Sequence, residues 1–415
     1  MKGNITIRLL LNRFLIIIVF IISPFVASLL AFYFCIHDFD RKFNTLLLAC
    51  FGGLFGYTFI PGEGFDIIRH EELFNEFLAF DFSQFVIYEL TSPKPDFLIE
   101  LIYWFVGRIF FNSQIVGFIG AFSFYYLMLL VIENSLRNVV RQRTPYTYFF
   151  CVAIFMAITV TWQFSGMRNG NAVLLFMYLI TSNINYLKRK NQLLLLLPGI
   201  VHFSLLPICI LYFLCLFLKR KQLHYISILL ILSVPFILLI LSSLHGVLDS
   251  LGYIGHFFAA KIDSYIIDGT DASMYTGAGF RYYLVVIPML ILFPFVWKTV
   301  NQCSHDSRMR ELPYHHFSIL FFSYVLCLSM TYAFSRNLLL CIYLFSVYFL
   351  SFLYFVKCNA FLKRIVYIFL IYACLSIVPS WYMGKEYRCI NPILFTGSLH
   401  TILTTEITEN DYWPT

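Results

Sequence analysis

Charge is what this sequence has little of. Only 12% of its 415 residues are Asp, Glu, Lys or Arg, while 60% are hydrophobic, and a soluble globular surface cannot be assembled from so few polar groups. CxxC and CxxH spacings are missing too. The eleven cysteines are scattered, many inside apolar runs, which excludes a zinc module and a disulfide framework and leaves them as small apolar packing residues. With no internal repeat, low-complexity tract or linker, the chain reads as one integral membrane domain, 1–415. Basic residues outnumber acidic ones, 29 against 22. They sit in short clusters between apolar runs, a pattern that reports membrane orientation and gives no sign of nucleic acid.

What is present is apolar length. About twelve runs approach the ~20 residues a helix needs to cross a bilayer core, so the expected fold is an all-α polytopic membrane protein with about twelve transmembrane segments. The first run, Leu9–Phe34, is too long for a signal-peptide core and lacks a small-residue cleavage site, and is expected as one helix of the mature protein. Later runs include Phe43–Ile60, Phe97–Phe111, Gln114–Glu133, Asn171–Leu187, Leu193–Leu218 and Leu223–Leu244. Basic clusters at Arg137/Arg141/Arg143, Lys188/Arg189/Lys190, Lys219/Arg220/Lys221, Lys298/Arg308/Arg310 and Lys357/Lys363/Arg364 belong on the cytoplasmic side. Leu193–Leu218 then carries a basic triplet at both ends, which one crossing cannot accommodate. A broken or re-entrant pair near Pro198–Pro207 resolves the conflict.

The densest knot of ionisable residues is Pro61–Asp81, PGEGFDIIRHEELFNEFLAFD. Asp66, Arg69 and His70 stand at i, i+3 and i+4, which predicts an acid, a fixed cation and an imidazole on one helix face. Ile67, Phe74, Phe77 and Leu78 continue the period on an apolar side, so 61–96 reads as an amphipathic loop at the membrane surface. Its side of the membrane is left open by the charges. It faces outward only if Phe97–Glu133 crosses an odd number of times, with Phe97–Phe111, short and carrying Arg108, as the non-spanning candidate.

Four more places concentrate ionisable groups. Arg168 lies between Gly166 and Gly170 at the entry to an apolar run, in TWQFSGMRNGN, where flanking glycines let backbone amides approach a ligand. His202, in PGIVHFSLLP, falls at the expected helix break, and broken helices are tolerated where they line a cavity. Arg281 and Arg336, with Arg168, project to the outer face in this topology, against the positive-inside trend. A planar guanidinium fork suits phosphate oxygens, so several around one outer cavity suit a diphosphate anchored in the outer leaflet. A second outer loop, 245–281, mixes carboxylates, histidines and aromatic rings of the kind that sugars engage.

The set GFDIIRH (from Gly64), GMRNGNAV (from Gly166), VHFSLL (from Val201) and YAFSRN (from Tyr332) resembles the Wzy-type O-antigen and exopolysaccharide polymerases of the EpsG-like branch. The resemblance implies a bacterial inner-membrane, multi-pass enzyme of glycosyltransferase type. Such an enzyme moves a growing glycan from one undecaprenyl-pyrophosphate carrier onto the oligosaccharide of another at the periplasmic face. It also implies an outward 61–96 loop, and a flippase and a chain-length regulator as possible partners. Asp66, Arg69 and His70 match the early motif, Arg168 the mid-chain one and His202 the HFS-like one; Arg281 and Arg336 match loosely. The chemistry calls for an anion clamp (Arg168, Arg281, Arg336), substrate contacts (Arg69, His70) and a base, Asp66 first and His202 second. The scheme requires no metal and no cofactor. A lipid-linked oligosaccharide flippase is the competing class, disfavoured because no related halves appear; an O-antigen ligase of like layout is the third reading.

Overall fold

The computed structural model describes residues 2–62, 65–91, 97–139, 144–145, 148–149, 151–152, 167–182, 189–263, 313–327, 340, 343–344 and 386–412. Among them every regular element is helical and there is no strand. Two compact units share the chain. One comprises Met1–Ser182, Leu197–Leu205 and Ala360–Thr415, the other Asn183–Leu196 and Leu206–Asn359.

The first unit opens with a reversal hidden inside an apolar run. Instead of one helix over Leu9–Phe34, the chain forms α1 (Lys2–Ile22) and α2 (Pro24–Ile36). Ser23 accepts a hydrogen bond from the Val26 amide and Pro24 takes the first helical position, a start signal strong enough to end the preceding helix. The two helices fold back on each other: Arg13, midway along α1, makes a bidentate ion pair with Asp40 beyond the end of α2, at 2.5 and 2.7 Å. Ile16, Ala27, Ala31 and Leu47 form the small core between them and α3 (Arg41–Tyr57).

α3 packs antiparallel along α7 (Gln114–Asn134). At one end Arg41 pairs with Glu133 at 2.8 Å; at the other the Gln114 side chain donates to the Tyr57 carbonyl at 2.8 Å. Glycines set the closeness of this crossing. A Cβ on Gly56 would sit 2.1 Å from the Gly117 carbonyl oxygen, and one on Gly117 would sit 2.2 Å from that of Gly56. Small residues let two backbones meet in this way, the usual device for packing helices in lipid. α8 (Met167–Thr181) joins the same layer. Its Asn171 donates to the Gly120 carbonyl at 3.1 Å, and Met167 fills the space above Gly120, so these residues lie toward the Gln114 end of α7.

This geometry bears on how 61–96 connects its neighbours. The chain leaves α3 and enters α7 at the same end, and the helix continuing from Gln114 to Arg137 is the one stretch among the described residues long and apolar enough to cross a membrane. Phe97–Phe111, one of the expected spanning runs, is a helix of ten residues, α6 (Phe97–Val106), too short to span. The length of the Gln114–Arg137 helix therefore separates the acidic and basic knot from Arg137.

Leu193–Leu218 is broken, as the charges required. α9 (Leu197–Val201) ends where the His202 amide bonds to the Pro198 carbonyl at 2.9 Å, a short 3₁₀ turn follows, and α10 (Leu206–Phe217) starts afresh. The Leu197–Leu205 piece of the first unit stops here, and the second unit resumes at Leu206. In the second unit α11 (Arg220–Leu232) and α12 (Ile237–Asp249) replace the single run expected over Leu223–Leu244. Pro235, which lacks an N–H, sits in the turn between them. α14 (Pro313–Cys327) packs on α10 and α11, with the Tyr212 and Phe317 rings edge to face at 5.1 Å. Much of the expected 245–281 loop that is described is helix: α12 and α13 (Gly252–Ile262) form a hairpin turned at Gly252, φ 79°. Its ionisable residues pair with each other, His245 with Asp263 at 2.8 Å and His256 with Asp249 at 2.7 Å.

Candidate active site

At the Gln114 end of the first unit, α4 (Asp66–Ala79) lies over α6 and α7. Its buried stripe is Ile67, His70, Phe74 and Phe77, spaced as one helix face requires. Asp66 and the N-terminal dipole are complementary. The C-terminus of α4 is closed from α6 and the turn after it: Trp104 donates to the Phe80 carbonyl at 3.2 Å, and Arg108 donates to the carbonyls of Phe77, at 2.9 Å, and of Phe80. Arg108 also lies 4.8 Å from the centroid of the Trp104 ring. The Asp81 amide donates to Gln84 Oε1 at 2.9 Å and the Gln84 amide donates to Asp81 Oδ1 at 2.8 Å, a capping box that starts α5 (Phe82–Thr91).

The expected single face of Asp66, Arg69 and His70 is split. Arg69 points outward, its side chain 75% exposed, while His70 is buried at 5%. Residues three and four apart straddle the first residue by about a hundred degrees of arc, so Asp66 at the boundary serves both. One of its oxygens accepts from Arg69; the other lies 3.6 Å from His70 Nε2. Burial opposes ionisation of Asp66, but the His70 imidazole and the charges of Arg69 and Arg168 override it and hold the carboxyl well below its ordinary range.

Arg168 thus reaches this site from α8. Its charge acts on Asp66 and also on the phenol of Tyr103, a residue of α6 whose ring meets His70 edge-on at 5.7 Å. His202 stands in the break after α9, and α9 packs against both α6 and α8. Asp66, Arg69 and His70 therefore meet on α4 with the charge of Arg168 bearing on Asp66 from α8, and the His202 segment packs on α8 and on α6, the helix of Tyr103. Arg281 and Arg336 lie outside the described residues.

Three participants were not anticipated. Tyr103 and Glu100 are 1% and 2% exposed, and Tyr103 OH and Glu100 Oε2 find no hydrogen-bond partner among the described residues, as is true of His70 Nε2. Glu100 is the lone acid in FLIELIYWFV, a signal open to a reader of the sequence. Glu71 is half-buried, and desolvation pushes its carboxyl from the ordinary 4.5 up to about 7. Because this folded-state value is raised, the native state is favoured below about 4.5 and loses that advantage as pH rises through about 7. Glu71→Gln is expected to match wild type in thermal unfolding at pH 5 and to be more stable at pH 8. After discounting for partial exposure, the gain at pH 8 is on the order of 2 kcal/mol. Equal differences at the two pH values would rule out a desolvated Glu71.

The C-terminal segment closes over the same end. Gln114 donates to the Thr405 carbonyl at 3.2 Å and accepts from the Ile407 amide at 3.3 Å, Tyr57 OH donates to the Leu403 carbonyl at 3.0 Å, and the Ile60 amide donates to the Cys389 carbonyl at 3.0 Å. Tyr412 then falls within range of the charges on Glu71 and Glu72.

A model of the EpsG family matches residues 64–408, from the start of the GFDIIRH motif through most of this C-terminal strap. The chain belongs to the EpsG family. Membership makes it a membrane protein of polysaccharide synthesis. No curated protein and no solved structure matches the chain. The EpsG match spans Asp66, Arg69, His70, Tyr103, Arg168 and His202 alike, so all of the clustered residues lie in the part of the chain that defines the family.

Proposed function

We propose that this EpsG protein is a polysaccharide polymerase of the bacterial inner membrane. It joins undecaprenyl-pyrophosphate-linked oligosaccharide repeat units into O-antigen or a related polymer at the periplasmic face. The observation that carries this reading is the cluster of Asp66, Arg69 and His70 on α4, with the charge of Arg168 bearing on Asp66, at the end of the helical layer opposite Arg41 and Arg137. The basic cluster at Arg137, Arg141 and Arg143 marks the cytoplasmic side, so a cation-bearing site at the far end faces outward.

The transfer breaks the bond between the anomeric carbon of the growing glycan and its pyrophosphate, and forms one from that carbon to a hydroxyl oxygen of the acceptor. The lipid pyrophosphate departs with the electron pair, and the hydroxyl proton passes to a base. Arg168, aided by Arg281 and Arg336, stabilises the charge gathering on the diphosphate; Arg69 and His70 contact substrate. The interactions that keep Asp66 ionised also make it a weak proton acceptor. We therefore assign the base to His202, with Asp66 fixing Arg69, His70 and Arg168 in register.

The test is the glycan profile of cells deleted for the gene and complemented with wild type or His202→Gln. Single repeat units after deletion, a full ladder with wild type and none with His202→Gln support the reading. Loss of every repeat unit would point to a flippase or ligase, and a ladder restored by His202→Gln would remove His202 as the base.

A further inference from the structure

Gln114 is 6% exposed, and every hydrogen-bonding position of its side-chain amide is filled. Nε2 donates to the carbonyls of Tyr57, at 2.8 Å, and Thr405, at 3.2 Å, while Oε1 accepts from the Ile407 amide and from Asn112 Nδ2, each at 3.3 Å. Turned over, the amide would set its oxygen against two carbonyl oxygens. An ionised carboxylate here has no donor, a cationic side chain has no acceptor, and an apolar one would take a partner from three backbone groups at once. Asn112 completes the arrangement, accepting from the Gln114 backbone amide at 2.9 Å and donating to Tyr57 OH at 3.2 Å.

What this amide grips is the segment that delivers α4. Tyr57–Ile60 is tied to the C-terminal strap at three points: through Gln114 to Thr405 and Ile407, by Tyr57 OH to the Leu403 carbonyl, and by the Ile60 amide to the Cys389 carbonyl. The strap is itself seated by the buried side chains of Cys389, Leu394 and Ile402, and the Phe395 ring meets Phe25 of α2 edge-on at 5.1 Å. Beyond Ile60 the link to the site is short. The Phe59 ring, buried, stacks at 6.2 Å on Phe65, the residue that caps α4, and Asp66 follows. All of these residues belong to the first unit.

Resting on the polymerase reading, we infer that Gln114 is a positioning residue: it clamps the C-terminal strap onto Tyr57–Ile60 and so fixes the first turn of α4, with Asp66, Arg69 and His70, over α7. Gln114 touches no substrate and moves no proton. It acts through α4, where a displacement of about 1 Å is enough to cost about a hundredfold in rate.

The experiment measures amide hydrogen exchange and elongation of lipid-linked repeat units by the full-length protein in detergent, for wild type, Gln114→Met, Gln114→Glu and Tyr57→Phe. Gln114→Met keeps the side-chain volume and none of its hydrogen bonds. It is expected to exchange about tenfold faster at residues 403–407, 57–60 and 65–68, and to lose about a hundredfold in kcat with KM little altered. Gln114→Glu separates hydrogen bonding from volume. Ionised, it faces two carbonyl oxygens and the neighbouring charge of Glu406, which already acts on Tyr57; protonated, it can again donate to one carbonyl and accept from Ile407. Its rate relative to wild type should therefore climb as the pH is lowered from about 8 to about 5, and a flat ratio overturns the inference. Wild-type kcat from Gln114→Met also overturns it and leaves the polymerase reading standing, as does a loosened strap with exchange at 65–68 unchanged. Should Gln114→Met fail to accumulate, Tyr57→Phe decides: it removes the phenol bonded to Leu403 and leaves Gln114 in place, and wild-type exchange at 57–60 and 65–68 overturns the inference. Wild type that elongates nothing rejects the polymerase reading, and exchange alone then decides whether Gln114 braces α4.

Discussion

Arg168→Ala is expected to abolish polymer while leaving the protein at its normal level in the membrane, and Arg168→Lys to recover little. The guanidinium is the cation common to Asp66 and Tyr103, so its removal takes away both the clamp charge and the field that orders the acid. Loss of one preorganised donor at a site of developing charge costs about 10²–10³ in rate. Lysine keeps the charge but loses the planar fork and its two-point contact with phosphate oxygens. The measurement is polymer length and yield in a deletion strain carrying each variant, with protein level read in parallel. Full-length polymer from Arg168→Lys would mean that a point charge suffices and that bidentate recognition is not used here.

Gly117→Val is expected to prevent accumulation of folded protein. The β-carbon alone would fall 2.2 Å from a backbone oxygen of α3 and 3.4 Å from the Cδ1 of Ile67 on α4. Neither the α3 backbone nor the helix seated on it can move without opening the α3–α7 seam, so the cost is on the order of 3 kcal/mol or more. Gly246→Ala is the matched control: it lies in α12 with nothing within 4 Å of an added β-carbon, and replacing a mid-helix glycine there should be neutral or mildly stabilising. Thermal unfolding in detergent distinguishes them. Equal stability of Gly117→Val and wild type would mean that the close crossing does not hold α4 in place.

How much of this was legible in the sequence depends on the kind of signal. The all-helical class follows from apolar composition, and the break at His202 from a conflict of basic triplets that one crossing could not satisfy. The buried face of α4 was legible from its period, but the assignment of His70 to the charged face was not correct: an arc spanning i, i+3 and i+4 crosses from water into the packed interior. Leu9–Phe34 looked like one helix because hydropathy reports the solvent a segment prefers and not its direction. Ser23–Pro24 carried the reversal in two residues. Glu100 and Tyr103 drew no notice because α6 is otherwise apolar, and a single polar atom gains meaning only when a neighbouring helix is known to leave it unpartnered. Gln114, which ties α3, α7 and the C-terminal strap together, depends on residues almost three hundred positions apart and has no local signature.

The most direct test of the central claim is elongation by the purified protein. Supplied with undecaprenyl-pyrophosphate-linked repeat units in detergent or vesicles, it should release undecaprenyl pyrophosphate and build products of two or more repeats on a single carrier, with no nucleotide added. Lipid-linked units that stay single while moving between leaflets would contradict the account and make the protein a transporter.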